Sequence, residues 1–241
     1  ASSALGFRNK AANENASAVG YGNNAGGVAS SAFGFSNVAK VDYASAFGYS
    51  NEASGLASSA VGFRNKAASE NASAVGYGNN ANALAASAVG YNNTAGGVGS
   101  STIGYNNTAT NENASAFGYG NTAGGLASSA FGFSNTASGD NANAFGYNNI
   151  ASGSKSNVFG TGNTVSGSSS TAVGTANEVA AENSTAIGNN NTISSSAENS
   201  AALGNNISIS LKDSVALGNN STATAINSVT GNSSCLLYTS D

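Results

Sequence analysis

Eleven aromatic side chains recur at one position of a repeated pattern, directly after a glycine, and are the first candidates for binding chemistry. Rows of tyrosine and phenylalanine offer large apolar surfaces on short side chains, which suits the binding of a protein or a glycan. We predict ligand contacts at the tyrosines, and packing within or between chains is the alternative interpretation. The row comprises Phe7, Tyr21, Phe35, Tyr49, Phe63, Tyr77, Tyr91, Tyr105, Tyr119, Phe133 and Tyr147.

The sequence contains no recognisable catalytic or metal-binding constellation. A general base or an activated nucleophile needs a partner within reach. The chain has no histidine and a single cysteine, Cys235, and its acidic residues are isolated, spaced charges. Calcium-binding β-rolls place aspartate in nearly every turn, and aspartate is rare in the turns of this sequence. We therefore predict a protein that is not an enzyme and that carries neither a metal nor a cofactor.

Composition narrows the range of partners. Seven basic and eleven acidic residues give a formal charge of −4 and are scattered along the chain, so no basic stripe exists to hold a nucleic acid. No apolar run approaches the roughly 20 residues that span a bilayer, so we predict no membrane contact by this segment. The chain begins with alanine, and its repeat is already under way at Ala4. We expect it to be a fragment of a longer protein.

A 14-residue repeat organises the sequence. Each of sixteen units has a glycine preceded by Val, Phe, Leu or Ile, and fourteen units have asparagine three residues later. Because asparagine tolerates left-handed turns and bonds nearby backbone, we interpret the asparagines from Asn9 to Asn191 as turn residues. One step measures 16 residues instead of 14. The glycines are Gly6, Gly20, Gly34, Gly48, Gly62, Gly76, Gly90, Gly104, Gly118, Gly132, Gly146, Gly160, Gly174, Gly188, Gly204 and Gly218.

Each unit is predicted to form strand, turn, strand, turn. Small and large residues alternate around Gly20, which places Ala18 and Gly20 on one face and Val19 and Tyr21 on the other. Gly, Ser, Asn and Thr dominate and disfavour a helix. The pattern predicts an all-β fold, a β-solenoid of about sixteen 14-residue coils. Ordering one coil costs about 14–28 kcal/mol of backbone entropy. The apolar burial within so small a coil offsets only part of this cost. We therefore also predict an obligate oligomer, in which chains share apolar surface.

A second set of candidate binding residues lies eight residues after the repeat glycines. This position is acidic in some units and apolar in others. Exposed apolar residues in turns are candidates for contacts with another protein, and local packing is the alternative. The apolar members are Val28, Leu56, Leu84, Val98 and Leu126, and the acidic members are Glu14, Asp42, Glu70, Glu112, Asp140 and Glu182.

The repeat is clearest in NSTAIG at residues 183–188 and in DSVALGNNS at residues 213–221. In these residues the chain resembles the head repeat of trimeric autotransporter adhesins of the YadA type, and the resemblance extends over about residues 1 to 225. It implies a left-handed parallel β-roll assembled as a parallel homotrimer. It also implies display on the bacterial cell surface, beyond the outer membrane, on an anchor outside this chain.

The function implied by the resemblance is adhesion to a host surface receptor, to an extracellular-matrix protein or to other bacteria. In collagen-binding members the strand motif itself is the proposed contact. The motif maps onto Ser214, Val215, Ala216, Leu217, Gly218 and Ser221, which are thereby implied as ligand-binding residues. A trimeric phage or viral tail-fibre segment is the alternative function. An ice-binding face is not predicted, because threonine follows the repeat glycine only at Thr161 and Thr175.

Three segments differ in composition. We predict aromatic-rich coils over residues 1–159 and Thr- and Asn-rich coils of the same domain over residues 160–225. Residues 226–241 break the rules of the repeat. A capping end and a translated sequencing adapter are two interpretations of this tail, and we assign it neither structure nor function.

Overall fold

A computed structural model describes residues 1–224 of the chain. The tail predicted over residues 226–241 lies outside these residues. The contacts divide the chain into two compact units, residues 1–120 and the residues from 121 onward. The secondary structure of the described residues consists of strands and turns, with no helix.

The first unit consists of five-residue strands that alternate with two-residue strands. Its strands are β1 (Ser3–Phe7), β2 (Lys10–Ala11), β3 (Ser17–Tyr21), β4 (Asn24–Ala25), β5 (Ser31–Phe35), β6 (Val38–Ala39), β7 (Ser45–Tyr49), β8 (Glu52–Ala53), β9 (Ser59–Phe63), β10 (Lys66–Ala67), β11 (Ser73–Tyr77), β12 (Asn80–Ala81), β13 (Ser87–Tyr91), β14 (Thr94–Ala95), β15 (Ser101–Tyr105), β16 (Thr108–Ala109) and β17 (Ser115–Tyr119).

The second unit continues the same alternation. Its strands are β18 (Thr122–Ala123), β19 (Ser129–Phe133), β20 (Thr136–Ala137), β21 (Asn143–Tyr147), β22 (Ile150–Ala151), β23 (Asn157–Thr161), β24 (Thr164–Val165), β25 (Thr171–Thr175), β26 (Glu178–Val179), β27 (Thr185–Asn189), β28 (Thr192–Ile193), β29 (Ala201–Asn205), β30 (Ser208–Ile209), β31 (Val215–Asn219) and β32 (Thr222–Ala223).

Within each unit, every coil pairs with the next in parallel and in register. In the first unit Ser73 of β11 lies opposite Ser87 of β13, and the short strands β10 and β12 pair in the same way. In the second unit β27 and β29 keep this register across the 16-residue step, since Thr185 pairs with Ala201. The two extra residues are therefore taken up in the loop formed by residues 194–200. These pairings confirm the predicted parallel β-solenoid of sixteen coils.

The core of each unit is thin and consists mainly of alanine. The second residue of a long strand and the second residue of a short strand point inward, as Ala74 and Ala81 do, and both are fully buried. Some short strands of the second unit carry larger side chains inside, and Val165, Val179 and Ile193 are also fully buried. A core built from such small residues brings the two strands of a coil close together.

The repeat glycines are required by the close stacking of the coils. Gly76 has φ +119°, and a Cβ placed on it would lie 2.1 Å from the carbonyl oxygen of Gly90 in the next coil. A side chain at this position therefore meets backbone rather than a movable group, and the φ value itself is unfavourable for any L residue.

Buried asparagines tie the coils together in a continuous ladder within each unit. Nδ2 of Asn79 donates to the carbonyl oxygens of Val75 at 2.9 Å and Gly90 at 2.6 Å, and to Oδ1 of Asn65 at 3.0 Å. Its own Oδ1 accepts from the backbone N–H and from Nδ2 of Asn93, both at 3.0 Å. Each asparagine therefore serves three coils at once, with both its donors and its acceptor engaged in a buried site.

These asparagines have the structural role expected from the sequence, and they bond nearby backbone as predicted, since Nδ2 of Asn79 donates to the carbonyl oxygen of Val75 in its own coil. The predicted left-handed geometry of the asparagines is wrong. The left-handed conformation belongs to the residue before each of them, such as Gly78 (φ 64°) and Asn92 (φ 54°). The ladder asparagines bond the backbone of neighbouring coils, and this keeps polar groups satisfied inside a narrow core.

Candidate binding surface on the five-residue strands

The outward side of the five-residue strands, which we call the wide face, carries the predicted tyrosines. The first, third and fifth residues of each strand point outward, as Ser73, Val75 and Tyr77 do in β11, whereas Ala74 between them is buried. Because successive strands pair in register, each outward position forms a column of side chains. The wide face therefore presents one column of small polar residues and two columns of apolar or aromatic residues.

The aromatic column of the first unit is a stack of parallel rings. From Phe7 to Tyr119, successive ring centroids lie 4.8–5.4 Å apart with interplanar angles of 3–23°. The six predicted tyrosines of this unit, from Tyr21 to Tyr119, are 39–46% exposed. In the second unit Tyr147 stacks on Phe133 at 5.1 Å. Stacking covers the faces of the rings, so the column offers ring edges and hydroxyl groups rather than open aromatic platforms.

The column beside it, formed by the residue before each glycine, is also outward and apolar. Phe33 and Phe47 stack at 5.1 Å in the first unit, and Phe131 and Phe145 stack at 4.9 Å in the second. Ile103 is 46% exposed. The sequence reasoning did not treat this column as part of a surface, although the period of two that predicted the strands places it on the same side as the tyrosines.

In the C-terminal coils the fifth-residue column of the wide face becomes polar, whereas Ile187 and Leu203 keep the column before the glycine apolar and exposed. The position held by tyrosine in earlier coils is occupied by Asn189, Asn205 and Asn219, whose side chains form a ladder of amides. Nδ2 of Asn189 donates to Oδ1 of Asn205 at 2.8 Å, and Nδ2 of Asn205 donates to Oδ1 of Asn219 at 2.9 Å. The second unit thus contains both an aromatic and an amide section of the same column.

The loops that precede the five-residue strands form a further ordered column. In the first unit, the N–H of Asn71 donates to the carbonyl oxygen of Leu56 at 2.9 Å, and the N–H of Ala85 donates to that of Glu70 at 2.9 Å. The side chains of Leu56 and Leu84 are each 44% exposed. The loop residues are therefore held by the backbone at the coil spacing while their apolar side chains face solvent.

The family comparison identifies the repeat. The model for the YadA head domain repeat matches residues 1–23, 25–51, 53–79, 95–121, 123–149, 166–191 and 212–229, which is more than half of the chain. The chain belongs to the YadA head repeat family. This confirms the resemblance predicted from the sequence. No curated protein sequence matches the chain significantly.

Membership in the YadA head repeat family indicates an adhesin-type function. No group of three or more His, Cys, Asp or Glu side chains that could hold a metal ion occurs among residues 1–224. Over the same residues, no helix is long and apolar enough to cross a membrane.

The YadA head motif near the end of the described chain is split between the core and the surface. Ser214, Ala216 and Ser221 are buried, and Oγ of Ser221 donates to the carbonyl oxygen of Leu217 at 2.8 Å. Val215 and Leu217 point outward on the wide face, and Gly218 is exposed. Of the motif residues predicted to contact a ligand, only these last three are therefore accessible, and within the second unit β31 lies five long strands beyond β21, which carries Tyr147.

Proposed function

We propose that this chain is the head of a bacterial surface adhesin, displayed beyond the outer membrane, which attaches the cell to host receptors, extracellular-matrix proteins or other bacteria. We further propose that the head is a parallel homotrimer. The apolar wide face is the observation that supports the proposed trimer. Two adjacent columns of large apolar side chains remain about two-fifths exposed in the single chain, and soluble monomers rarely expose contiguous apolar surfaces of this kind.

A second copy of the chain is the partner that fits the wide face best. Its residues repeat at the strand spacing of about 4.8 Å, and a parallel copy repeats at the same spacing, so every coil can make the same contact. An aromatic side chain of roughly 200 Å² that buries its remaining two-fifths gains about 2 kcal/mol at 25 cal/mol per Å². Repeated over successive coils, this gain offsets the weak core of each coil.

The stacked geometry of the tyrosines also supports this use of the wide face. The rings cover one another and leave edges outward, which suits packing against another apolar surface more than stacking on a sugar. Binding of the host ligand by the tyrosine column is the alternative proposal for the same residues. The family match is to an adhesin head repeat, and no observation favours the tail-fibre alternative.

One experiment separates the two uses of the tyrosines. Light scattering gives the mass of the full chain and of a triple variant, Tyr77→Ser with Tyr91→Ser and Tyr105→Ser, and adhesion to cells and immobilised matrix proteins is measured in parallel. We expect a trimer for the natural chain and loss of the trimer in the variant. A variant that stays trimeric but no longer adheres would assign the tyrosines to the ligand. A stable, adhesive monomer of the natural chain would contradict the trimer proposal.

A further inference from the structure

We propose that the loop column of the first unit is a docking ridge for an extended, cationic segment of the host protein. The proposal rests on the adhesin function proposed above and names the surface and the partner chemistry for it. The ridge comprises Asp42, Tyr43, Leu56, Glu70 and Leu84, from four successive coils. It lies in the loops, outside the wide face through which copies of the chain are proposed to pack.

The ridge exposes the types of side chain that anchor protein interfaces. Tyr43 is 62% exposed, and Leu56 and Leu84 are 44% exposed on every second coil. Tyrosine is enriched among the residues that contribute most to binding energy, and apolar side chains around it exclude water from the contact. The ridge therefore provides an aromatic anchor followed by spaced apolar contacts.

The backbone of the ridge holds these side chains in place. The N–H of Ala57 donates to the carbonyl oxygen of Asp42 at 3.1 Å, and the hydrogen bonds of Leu56 and Glu70 continue the ladder. Tyr43 has φ 60°, and left-handed geometry is unusual for a bulky residue. The equivalent residues Ala29 and Ala57 of the neighbouring coils have the same left-handed geometry, so the turn requires it, and the turn holds the Tyr43 side chain in a fixed position facing solvent.

The charge of the ridge indicates a cationic partner. Asp42 and Glu70 of the ridge lie two coils apart, Glu14 precedes them at the same spacing in the same loop column, and all three are exposed. Oδ1 of Asp42 accepts from the N–H of Val28 at 2.7 Å, which fixes this carboxylate. Lys40 is the one cation in the loops that precede the long strands of the first unit, all of which the structure describes. The carboxylates therefore attract lysine or arginine and steer a basic segment onto the ridge.

The spacing of the ridge selects an extended partner. Coils lie about 4.8 Å apart, so carboxylates on every second coil lie about 9.6 Å apart. A chain in the extended polyproline-II conformation advances about 3.1 Å per residue with three residues per turn, so every third side chain returns to the same face after about 9.3 Å. A segment with lysine or arginine at every third position matches the acidic coils, and the residues between them lie over the apolar coils.

A designed peptide tests the ridge directly. The probe is a fluorescent peptide of repeated Lys-Pro-Pro triplets, which favour the conformation with three residues per turn, titrated with the full chain, and its control has the same composition with the lysines clustered at one end. We expect the triplet peptide to bind more tightly than the clustered one and its affinity to fall with added salt. Equal affinity of the two peptides, or no binding by the triplet peptide, would overturn the proposal.

Matched variants locate the binding. Tyr43→Ser combined with Leu56→Ser should weaken peptide binding by about tenfold or more, whereas Ile150→Ser, an equally exposed apolar position on a short strand, should leave it unchanged. Glu70→Gln should weaken binding and Glu52→Gln on β8 should not, although both remove one charge. Equal effects of the ridge and control variants would contradict the ridge. Adhesion of the same variants is measured alongside. If the ridge binds no peptide and its variants adhere fully, this inference is rejected, but the adhesin function is unaffected.

Discussion

The ladder of buried asparagines yields a sharp prediction, because one side chain serves three coils. Replacing Asn79 by alanine removes three hydrogen bonds donated by its Nδ2 and two accepted by its Oδ1. At about 0.5–1.5 kcal/mol net per bond, and with the backbone N–H of Asn93 left unpaired in a buried site, the loss of unfolding free energy should be about 3–5 kcal/mol.

The control for this change is Asn82→Ala, which removes an exposed asparagine of the same unit and should cost less than about 0.5 kcal/mol. Both variants are unfolded with urea at one protein concentration, because oligomerisation makes apparent stability depend on concentration. Hydrogen exchange at the amide of Asn93 reports the local effect. If Asn79→Ala and Asn82→Ala unfold within about 1 kcal/mol of each other, the ladder does not hold the coils as described.

An isosteric variant isolates hydrogen bonding from shape. Asn79→Asp fills the same volume, but a carboxylate oxygen then faces the carbonyl oxygens of Val75 and Gly90, which accept from Nδ2 in the natural chain. We expect Asn79→Asp to destabilise the protein at neutral pH at least as much as Asn79→Ala does. A mild effect of the aspartate would mean that filling the space matters more than the donated bonds.

The remaining predictions concern the backbone, the core and the repeat. Gly76→Ala, whose Cβ would meet the backbone of the next coil, should cost more than about 3 kcal/mol, while Gly78→Ala, with open space and φ 64°, should cost about 1 kcal/mol in the same urea titration. Ile193→Ala in the core should cost about 2–5 kcal/mol, and the exposed Ile150→Ala less than about 0.5 kcal/mol. Deleting residues 49–62, one whole coil, should preserve the circular dichroism per residue, whereas a half-coil deletion should abolish cooperative unfolding.

The fold could be predicted from the sequence because the repeat converts a weak local signal into a strong one. A single stretch such as residues 73–77 is too short to distinguish a strand with certainty, but the same alternation every 14 residues leaves the solenoid as the consistent solution. The structure places Ala74 inside and Val75 and Tyr77 outside, as the period of two requires.

The function of individual positions was harder to predict, because one-dimensional spacing does not show what a side chain reaches across coils. Asparagine is a residue type common in turns, which is all that the sequence shows of Asn79. Only the stacking of the coils brings the carbonyl oxygen of Gly90 within reach of its Nδ2. Likewise, Ser214 and Ser221 belong to a motif that resembles a contact surface, yet both are buried. The packing of these serines is therefore sufficient to account for the spacing of the motif.

The uniform pairing of coils has a genetic consequence. Residues 7–12 and 63–68 both read FRNKAA and begin 56 residues apart, so the two DNA segments that encode them can misalign during recombination. An exchange there removes or adds four complete coils, and the junction still presents the same alanine, glycine and asparagine to its new neighbour. Alleles of different length should therefore arise in single events and fold at once, which lets a population vary the number of coils without first acquiring compensating substitutions.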